Sequence, residues 1–380
     1  MSERPRTPRA RHAGPVPPRG PVPSLAEVNA DAALRERVTA AILSKCREAG
    51  FVLTGVAPAR PHAHAAALTA WLAAGKHGEM EYMARDVEVR LDPALIMPGT
   101  RSFVMVADLY ASRNDLPDAS EPGAGRIARY ARGRDYHQSV KRRLHRIADQ
   151  VRLDVPGSDF RSFADTAPVP ERELAVLAGL GWQAKNTMVI NPRLGSWLLL
   201  GGMATNIDLV PAPEPVADAC GTCTRCIDAC PTGAITPYSV DGSRCVSYLT
   251  IEHRSELPAV LAPGVRDWLA GCDICQEVCP HNSPRQDPPA PVNAAYAPRA
   301  RSLPILRVLD WTEEDRRRAF ETSALKRITL EMVKRNAIAA AGNQLRLRDD
   351  PALRARIARV AADPTESELI RRTAREVLGG

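Results

Sequence analysis

Apolar positions Leu34, Val38, Ile42 and Leu43 recur at the spacing of one helix face, and the pattern ends at Gly50. The run Phe51-Val52-Leu53-Thr54-Gly55-Val56 behind it reads as a strand. Two more continuous apolar runs, Ser102-Phe103-Val104-Met105-Val106-Ala107 and Trp197-Leu198-Leu199-Leu200, predict strands buried on both faces. Between them Val140, Leu144, Ile147 and Val151 mark a helix. The segment Pro211-Ala212-Pro213-Glu214-Pro215 can continue neither a helix nor a central strand and predicts a linker. Mixed helix and strand over 31–218 therefore predicts an α/β (α+β) domain.

Past Pro291 the pattern turns helical. Asp350-Pro351 predicts an N-cap and a proline at the first helical position, with Leu353, Ile357 and Val360 along the buried face. Thr365 and Glu368 predict a capping box for a further helix carrying Leu369, Thr373 and Val377. A third helix is expected from Ser323 to Ala341, closed by Gly342-Asn343. Short amphipathic helices in series over 291–380 suggest HEAT-like repeats. Residues 1–30, with seven prolines and five arginines, predict a disordered leader.

Composition refines this picture. Of 380 residues, 44% are hydrophobic, as suits a soluble globular chain. The net charge of +7 fits a polyanionic partner, and it is unevenly placed. Between Arg126 and Arg146 stand eight basic residues (Arg126, Arg129, Arg132, Arg134, Lys141, Arg142, Arg143 and Arg146) against Asp135 alone. Segment 291–380 has 18 Lys and Arg against 12 Asp and Glu. The first residues hold no apolar export core and no adjacent Arg-Arg pair, and no apolar run reaches the ~18 residues that a membrane span needs. A cytoplasmic home without membrane association is expected, and there nine cysteines argue for metal ligation over disulfides.

Eight of those cysteines fall between Cys220 and Cys279. Cys220-x2-Cys223-x2-Cys226-x3-Cys230-Pro231 matches the bacterial ferredoxin run, whose fourth cysteine ligates the other cluster. The second run, Cys272-x2-Cys275-x3-Cys279-Pro280, has its first member, Cys245, displaced upstream. Residues 219–290 are thus expected to form a bacterial-ferredoxin-like module with two [4Fe–4S] clusters. One set would be Cys220, Cys223, Cys226 and Cys279, the other Cys230, Cys245, Cys272 and Cys275. Structural zinc is the alternative for paired cysteines, and two Cys-x3-Cys-Pro endings weigh against it. Cys46 stands apart and reads as a small core residue.

Clusters pass single electrons, so the domain in front of them is expected to hold a further cofactor. Gly123-x-Gly125-x-x-Ala128 is rejected as a dinucleotide fingerprint because no strand precedes it. Asp135-x-His137 begins like the lower-ligand motif of some cobalamin proteins, but Val140 stands where that motif needs glycine. On residues alone the reading ends at an electron-transfer module fused to a reductase domain.

From about Asp31 through the helical tail, the chain resembles the epoxyqueuosine reductases, cobalamin- and iron–sulfur-dependent enzymes of tRNA modification. The resemblance is carried by Arg90-Leu91-Asp92-Pro93, by Arg126 to His137, by Asp165-Thr166-Ala167-Pro168, and by Glu171-Arg172. It continues through Ala178 to Asn186, Thr205-Asn206-Ile207 and Gly271 to Pro280. It implies that residues 31–218 form a cobalamin-binding reductase domain. The implied reaction is the last step of queuosine synthesis, in which the epoxide at the tRNA wobble position becomes an alkene. By resemblance Asp165 is the general acid, with a pKa expected to be raised by burial against the corrin. Arg90, Lys185, Asn186, Val189, Leu200, Ser247 and Asp273 match positions beside the corrin or its side chains, together with Asp165 itself. Arg172, Arg132 and Arg134 are the expected tRNA contacts, with the basic stretch and the tail holding phosphates. Ala128 replaces a cysteine that some relatives place near the cobalt, so no essential thiol is expected there. With its motif incomplete, His137 is expected to be structural and cobalamin to lack a histidine ligand. The implied partners are the tRNA anticodon stem loop and an external electron donor, acting on a monomer. A cobalamin-dependent reductive dehalogenase and a non-catalytic electron carrier are the rival readings.

Overall fold

The computed structural model describes residues 22–115, 121–285 and 290–379. The expected leader falls outside the described residues up to position 21, and its last part is not a bare leader. Leu25–Ala30 is a helix with a Ser24–Glu27 capping box, and Val28 is wholly buried. Leu25 also packs on the core, and Asn29 donates to the Asn206 carbonyl and accepts from the Asp208 amide, contacts that composition over thirty residues averaged away.

The central sheet has four antiparallel strands in the order Leu53–Pro58, Ser102–Leu109, Leu198–Thr205, Phe160–Phe163. Every residue of Ser102–Leu109 is buried. Because strand side chains alternate, Val104 and Val106 pack with the helices Ala32–Glu48 and Tyr136–Asp154, through Ile42, Val140, Leu144 and Ile147. Phe103, Met105 and Ala107 point the other way, toward Leu174, Leu180 and Trp197. The continuous apolar runs did mark strands buried on both faces. Cys46 is fully buried among the first group, and burial pushes its thiol up to about 12.

A polar knot ties this core to the chain beyond the cysteines. Asp108, fully buried, accepts from Arg143 Nη1 at 3.1 Å and from Arg143 Nη2, from the Tyr296 hydroxyl at 2.6 Å and from Asn293 at 3.3 Å. The guanidinium also lies 3.9 Å over the Phe51 ring. Asp108→Ala should leave Arg143 charged and unpaired in the core. The expected cost is about 3–5 kcal/mol, read as a lowered urea midpoint.

A second sheet joins the expected regions. Ala124–Ile127 pairs in parallel with Trp268–Ala270 from the cysteine module and antiparallel with Ser302–Pro304 from the tail. The Gly123-x-Gly125 string therefore runs from a turn at Gly123 into this strand, with Gly125 against Leu269, and is not a phosphate loop. The long tail helix Leu330–Leu347 is welded to the module by its own polar groups. Asn336 donates to the carbonyls of Thr250 and Leu269, each at 2.8 Å, and fully buried Arg335 donates to those of Leu249, His253 and Ser255.

Two helix expectations need correction. The expected Ser323–Ala341 helix is a short 3₁₀ turn, Ala324–Arg327, followed by a helix that runs through Gly342-Asn343 to Leu347. Gly342 is there for packing, since a Cβ would lie 2.7 Å from Val377. The Asn343 amide is spent on the Ala262 and Arg266 carbonyls. Nor is Thr365 the cap of Glu368–Gly379: its hydroxyl turns back to Asp363, and Ser367 accepts from the Ile370 amide. The helix Pro351–Ala362 starts as expected, with Asp350 accepting from Leu353. Among the described residues no helix is long and apolar enough to cross a membrane.

Candidate active site

Cysteines from both ends of the module converge. Cys220, Cys223, Cys226 and Cys279 line one open cavity of about 50 Å³, together with Ala184 and Ile190. The last cysteine of the second run thus sits with the first three of the first run. The charges of Cys226, Cys220 and Cys223 raise the Cys279 thiol, after burial. The complementary set is linked in the same way. Burial raises Cys245, Cys272 and Cys275, and beyond it Cys245 feels Cys230, Cys272 feels Cys275 and Cys245, and Cys275 feels Cys245 and Cys230. Cys275 also feels Cys226, which makes the two groups neighbours. Four thiols round one cavity, and four more that feel one another's charge, supply the number of sulfur donors that two cubane clusters require. Iron would hold as thiolates what burial otherwise keeps protonated.

The loop 184–188 braces both groups. Lys185 Nζ donates to the carbonyls of Gly221 at 2.6 Å and Cys223 at 3.1 Å, while Asn186 donates to that of Cys275 at 3.3 Å. Arg172 reaches the same loop, donating to the Thr187 carbonyl at 3.0 Å and its hydroxyl at 2.9 Å. Its charge lowers the pKa of Asp165 and of Cys245, and so acts on the acid site and on the second cysteine group together.

Asp165 stands on the turn after Phe160–Phe163 at φ +61°, a left-handed backbone that aspartate tolerates better than most residues. Its amide donates to Glu171 at 2.6 Å, which holds the turn, and its side chain is 56% exposed. His137 Nε2 lies 3.0 Å from the Asp165 carboxylate and Nδ1 lies 2.7 Å from Asp135. Asp135 is the N-cap of Tyr136–Asp154, so a helix start aims the imidazole, and Tyr136 stacks on it at 4.0 Å. The tail contributes Lys326, 3.8 Å from Asp135, and Arg327, which pairs with Glu252 at 2.6 Å and lies over the Tyr82 ring.

The charges follow from these contacts. Burial opposes charging of His137, but hydrogen bonds and attraction from Asp135 and Asp165 outweigh it and push its pKa up to about 9. Desolvation by the surrounding walls pushes Asp165 up, but His137, Arg327 and Arg172 hold it below its ordinary value. The expected raised pKa was tied to burial against a corrin; among the protein's own groups the imidazolium beside Asp165 favours the carboxylate. Glu171 goes the opposite way: burial first, then the Asp165 charge, raise it to about 8.

The other expected residues differ in exposure and in partners. Arg90 donates to the Tyr82 carbonyl at 3.0 Å, on the side of the site where Tyr82 feels the Asp165 charge. Leu200 and Ser247 are partly exposed, whereas Val189 is 3% exposed and belongs to the core. Asp273 is 1% exposed and accepts from the Arg129 amide at 2.7 Å, and burial raises its pKa to about 6. The basic stretch needs the largest correction. Arg132 is 6% exposed and donates to the Ile127 carbonyl, so it cannot meet a phosphate. Arg129 lies over the Trp197 ring, Arg126 pairs with Asp267, and Arg143 with Asp108. Arg134, Arg142 and Arg146 are the exposed ones. Several of the tail's basic residues are likewise in ion pairs, such as Arg356–Asp310 and Arg371–Glu368.

Reading the sequence missed Glu171 as an acid, Arg327 and Lys326 as walls of the site, and the His137–Asp165 contact. No pattern links positions 28 residues apart on a helix start and a strand end. Both ring nitrogens of His137 face carboxylates.

Residues 219–282 match the family model described as a 4Fe-4S double cluster binding domain. Residues 90–166 match the one described as epoxyqueuosine reductase QueG, DUF1730. The chain is 38% identical over 328 residues to an epoxyqueuosine reductase of Burkholderia pseudomallei, covering 79% of this chain and 80% of that one. It is 39% identical over 305 residues to one of Vibrio cholerae, covering 78% and 80%. Among solved structures, an epoxyqueuosine reductase with a tRNA-Tyr epoxyqueuosine-modified stem loop superposes with TM-score 0.81 at 27% identity over 90% of each chain. One from Bacillus subtilis, with its catalytic aspartate loop swung out of the active site, gives 0.80 at 26% over 90% of each.

Proposed function

This chain belongs to the epoxyqueuosine reductase family, and on that premise we propose how its residues reduce epoxyqueuosine in tRNA to queuosine. Asp165 is the acid that protonates the departing epoxide oxygen. What supports this is its exposed carboxylate on a constrained turn, facing His137, Arg172 and Arg327. The module holds two [4Fe–4S] clusters. Cys220, Cys223, Cys226 and Cys279 ligate one, and Cys230, Cys245, Cys272 and Cys275 the other.

Cobalamin is the second cofactor, held by Arg90, Lys185, Asn186, Leu200 and Ser247, with Val189 and Asp273 supporting from behind. When bound, the clusters supply electrons singly and cobalamin supplies the two-electron nucleophile. The residues of the chain do the rest. Lys185 and Asn186 fix the loop between acid site and cysteines, and Arg172 holds Thr187 while adding positive charge beside Asp165. Closing the site over the substrate would expel water and strengthen each of these charges. The helices of 291–380 are taken as HEAT-like units, which the packing of Pro351–Ala362 against Glu368–Gly379 supports. The chain is taken to act as a cytoplasmic monomer served by an external donor. The test is anaerobic reconstitution. Stoichiometric binding of cobalamin, with the cobalt(II) EPR signal of a form lacking a nitrogen ligand, is expected. No binding, or a nitrogen-split signal from His137, would overturn the assignment.

The tRNA footprint is built from Arg134, Arg142 and Arg146, with Arg172 and Lys326 at the site's edge. Arg134, Arg142 and Arg146 changed together to Glu should weaken stem-loop binding. The slope of log affinity against log salt should become shallower by about 2, at roughly 0.7–0.9 per lost phosphate contact. An unchanged slope removes these residues from the footprint.

A further inference from the structure

Removing an epoxide oxygen as water breaks both carbon–oxygen bonds, forms a carbon–carbon double bond, and takes up two electrons and two protons. The electrons come from the reductant that serves the clusters. The protons must come through the protein, and a carboxyl group carries one at a time. Asp165, moreover, is held as a carboxylate, so its proton has to be delivered to it.

The neighbour that can deliver is in place. A neutral imidazole has one N–H and one acceptor nitrogen. His137 has carboxylates at both nitrogens, Asp135 at 2.7 Å and Asp165 at 3.0 Å, and only a ring protonated at both can satisfy the two. The ring cannot easily turn away. Asp135 is fixed as a helix N-cap, and Tyr136 stacks on the imidazole. Its side chain is 22% exposed, which leaves an edge for recharging from water.

We propose that His137 is the positioning residue that loads Asp165 with protons, so that one carboxylate serves both protonations of the departing oxygen. The inference rests on the functional reading above. In each passage the Nε2–H proton moves to Asp165, Asp165 gives it to the oxygen, and the neutral ring regains a proton from solvent. The groups around the ring fit this cycle. Asp135 and Asp165 favour the charged ring, and Glu171, on the helix Glu171–Leu177, faces it from beyond Asp165. Lys326 moderates Asp135 from the tail, and Arg327 and Arg172 act on Asp165 and keep it from retaining the proton. Tyr130 and Tyr136 are pushed to higher pKa, chiefly by burial, and remain neutral spectators. The sign of the pH dependence follows. Activity is present while the ring is charged and falls as pH rises through about 9.

The test is single turnover by the pre-reduced, cobalamin-loaded chain across pH, beside carbon-13 NMR titration of His137 in the substrate-free oxidised holoenzyme. The wild type should show an alkaline limb near 9, matching the NMR titration. Asp135→Asn removes one of the two carboxylates that raise the ring, and should move both limb and titration to lower pH. His137→Gln should lose at least about tenfold in rate, together with that limb. If wild-type rate and limb persist in His137→Gln, or if NMR finds the ring neutral at pH 7, the inference is overturned while the functional reading stands. A wild-type chain that leaves the epoxide intact at every pH sinks both.

Discussion

Asp165→Asn should retain both clusters, cobalamin and stem-loop affinity while its single-turnover rate falls by about 10²–10⁴-fold. An epoxide oxygen leaving unprotonated is an alkoxide, a poor leaving group, and the barrier reflects that. Asn keeps the shape of the side chain and can still face His137, so the turn at φ +61° and its amide bond to Glu171 have no reason to change. What it lacks is a carboxylate to take the imidazolium proton and pass it on. Pre-reducing the protein separates this step from electron delivery, so a slow Asn variant cannot be blamed on the clusters. Near-normal conversion by Asp165→Asn would remove Asp165 from the chemistry and leave Glu171, with its pKa near 8, as the next acid to test.

Cys279→Ala should remove the cluster of Cys220, Cys223 and Cys226, although it lies more than fifty residues from them in sequence. Cys230→Ala, inside the first run, should instead damage the cluster of Cys245, Cys272 and Cys275. Each variant should fall from about eight irons per chain to about four. Mössbauer and EPR spectra identify which half is lost. If each variant lost the cluster of its own sequence neighbours, the crossed assignment would be wrong. The geometry behind it is the cavity that Cys279 shares with the first three cysteines, and the way Cys245 and Cys275 feel Cys230.

The double-cluster module was legible because the spacing of cysteines within each run is a local property. A cluster demands a set number of residues between thiols, and the proline after each run turns the chain whatever lies elsewhere. The strand Ser102–Leu109 was legible for a similar reason, since eight consecutive buried positions leave little else for the segment to be. The failures share the opposite character. Gly342 looks like a helix stop, yet it is a contact surface for Val377 on another helix. Arg126, Arg129, Arg132 and Arg143 look like one basic face, but they reach Asp267, Trp197, the Ile127 carbonyl and Asp108. In each case a distant partner decided the role. The same holds for the acid site: Asp165 was picked out by resemblance, but its charge state is set by His137, Arg172 and Arg327, drawn from three other parts of the chain.

The tail illustrates how organisation and function overlap. Helical periodicity set it apart as a separate unit, yet it completes the second sheet through Ser302–Pro304 and brings Lys326 and Arg327 to the acid site. Removing it would open the module's core as well as the site wall, because Asn336 and Arg335 bind carbonyls on the module.

The most direct test is mass spectrometry of an epoxyqueuosine-bearing anticodon stem loop after one turnover. The chain, carrying both clusters and cobalamin and reduced beforehand, should convert the nucleoside to queuosine with loss of one oxygen atom. Omitting cobalamin or replacing Cys279 with Ala should abolish the conversion. If the fully loaded, reduced chain left the epoxide intact, the account given for this site would be contradicted.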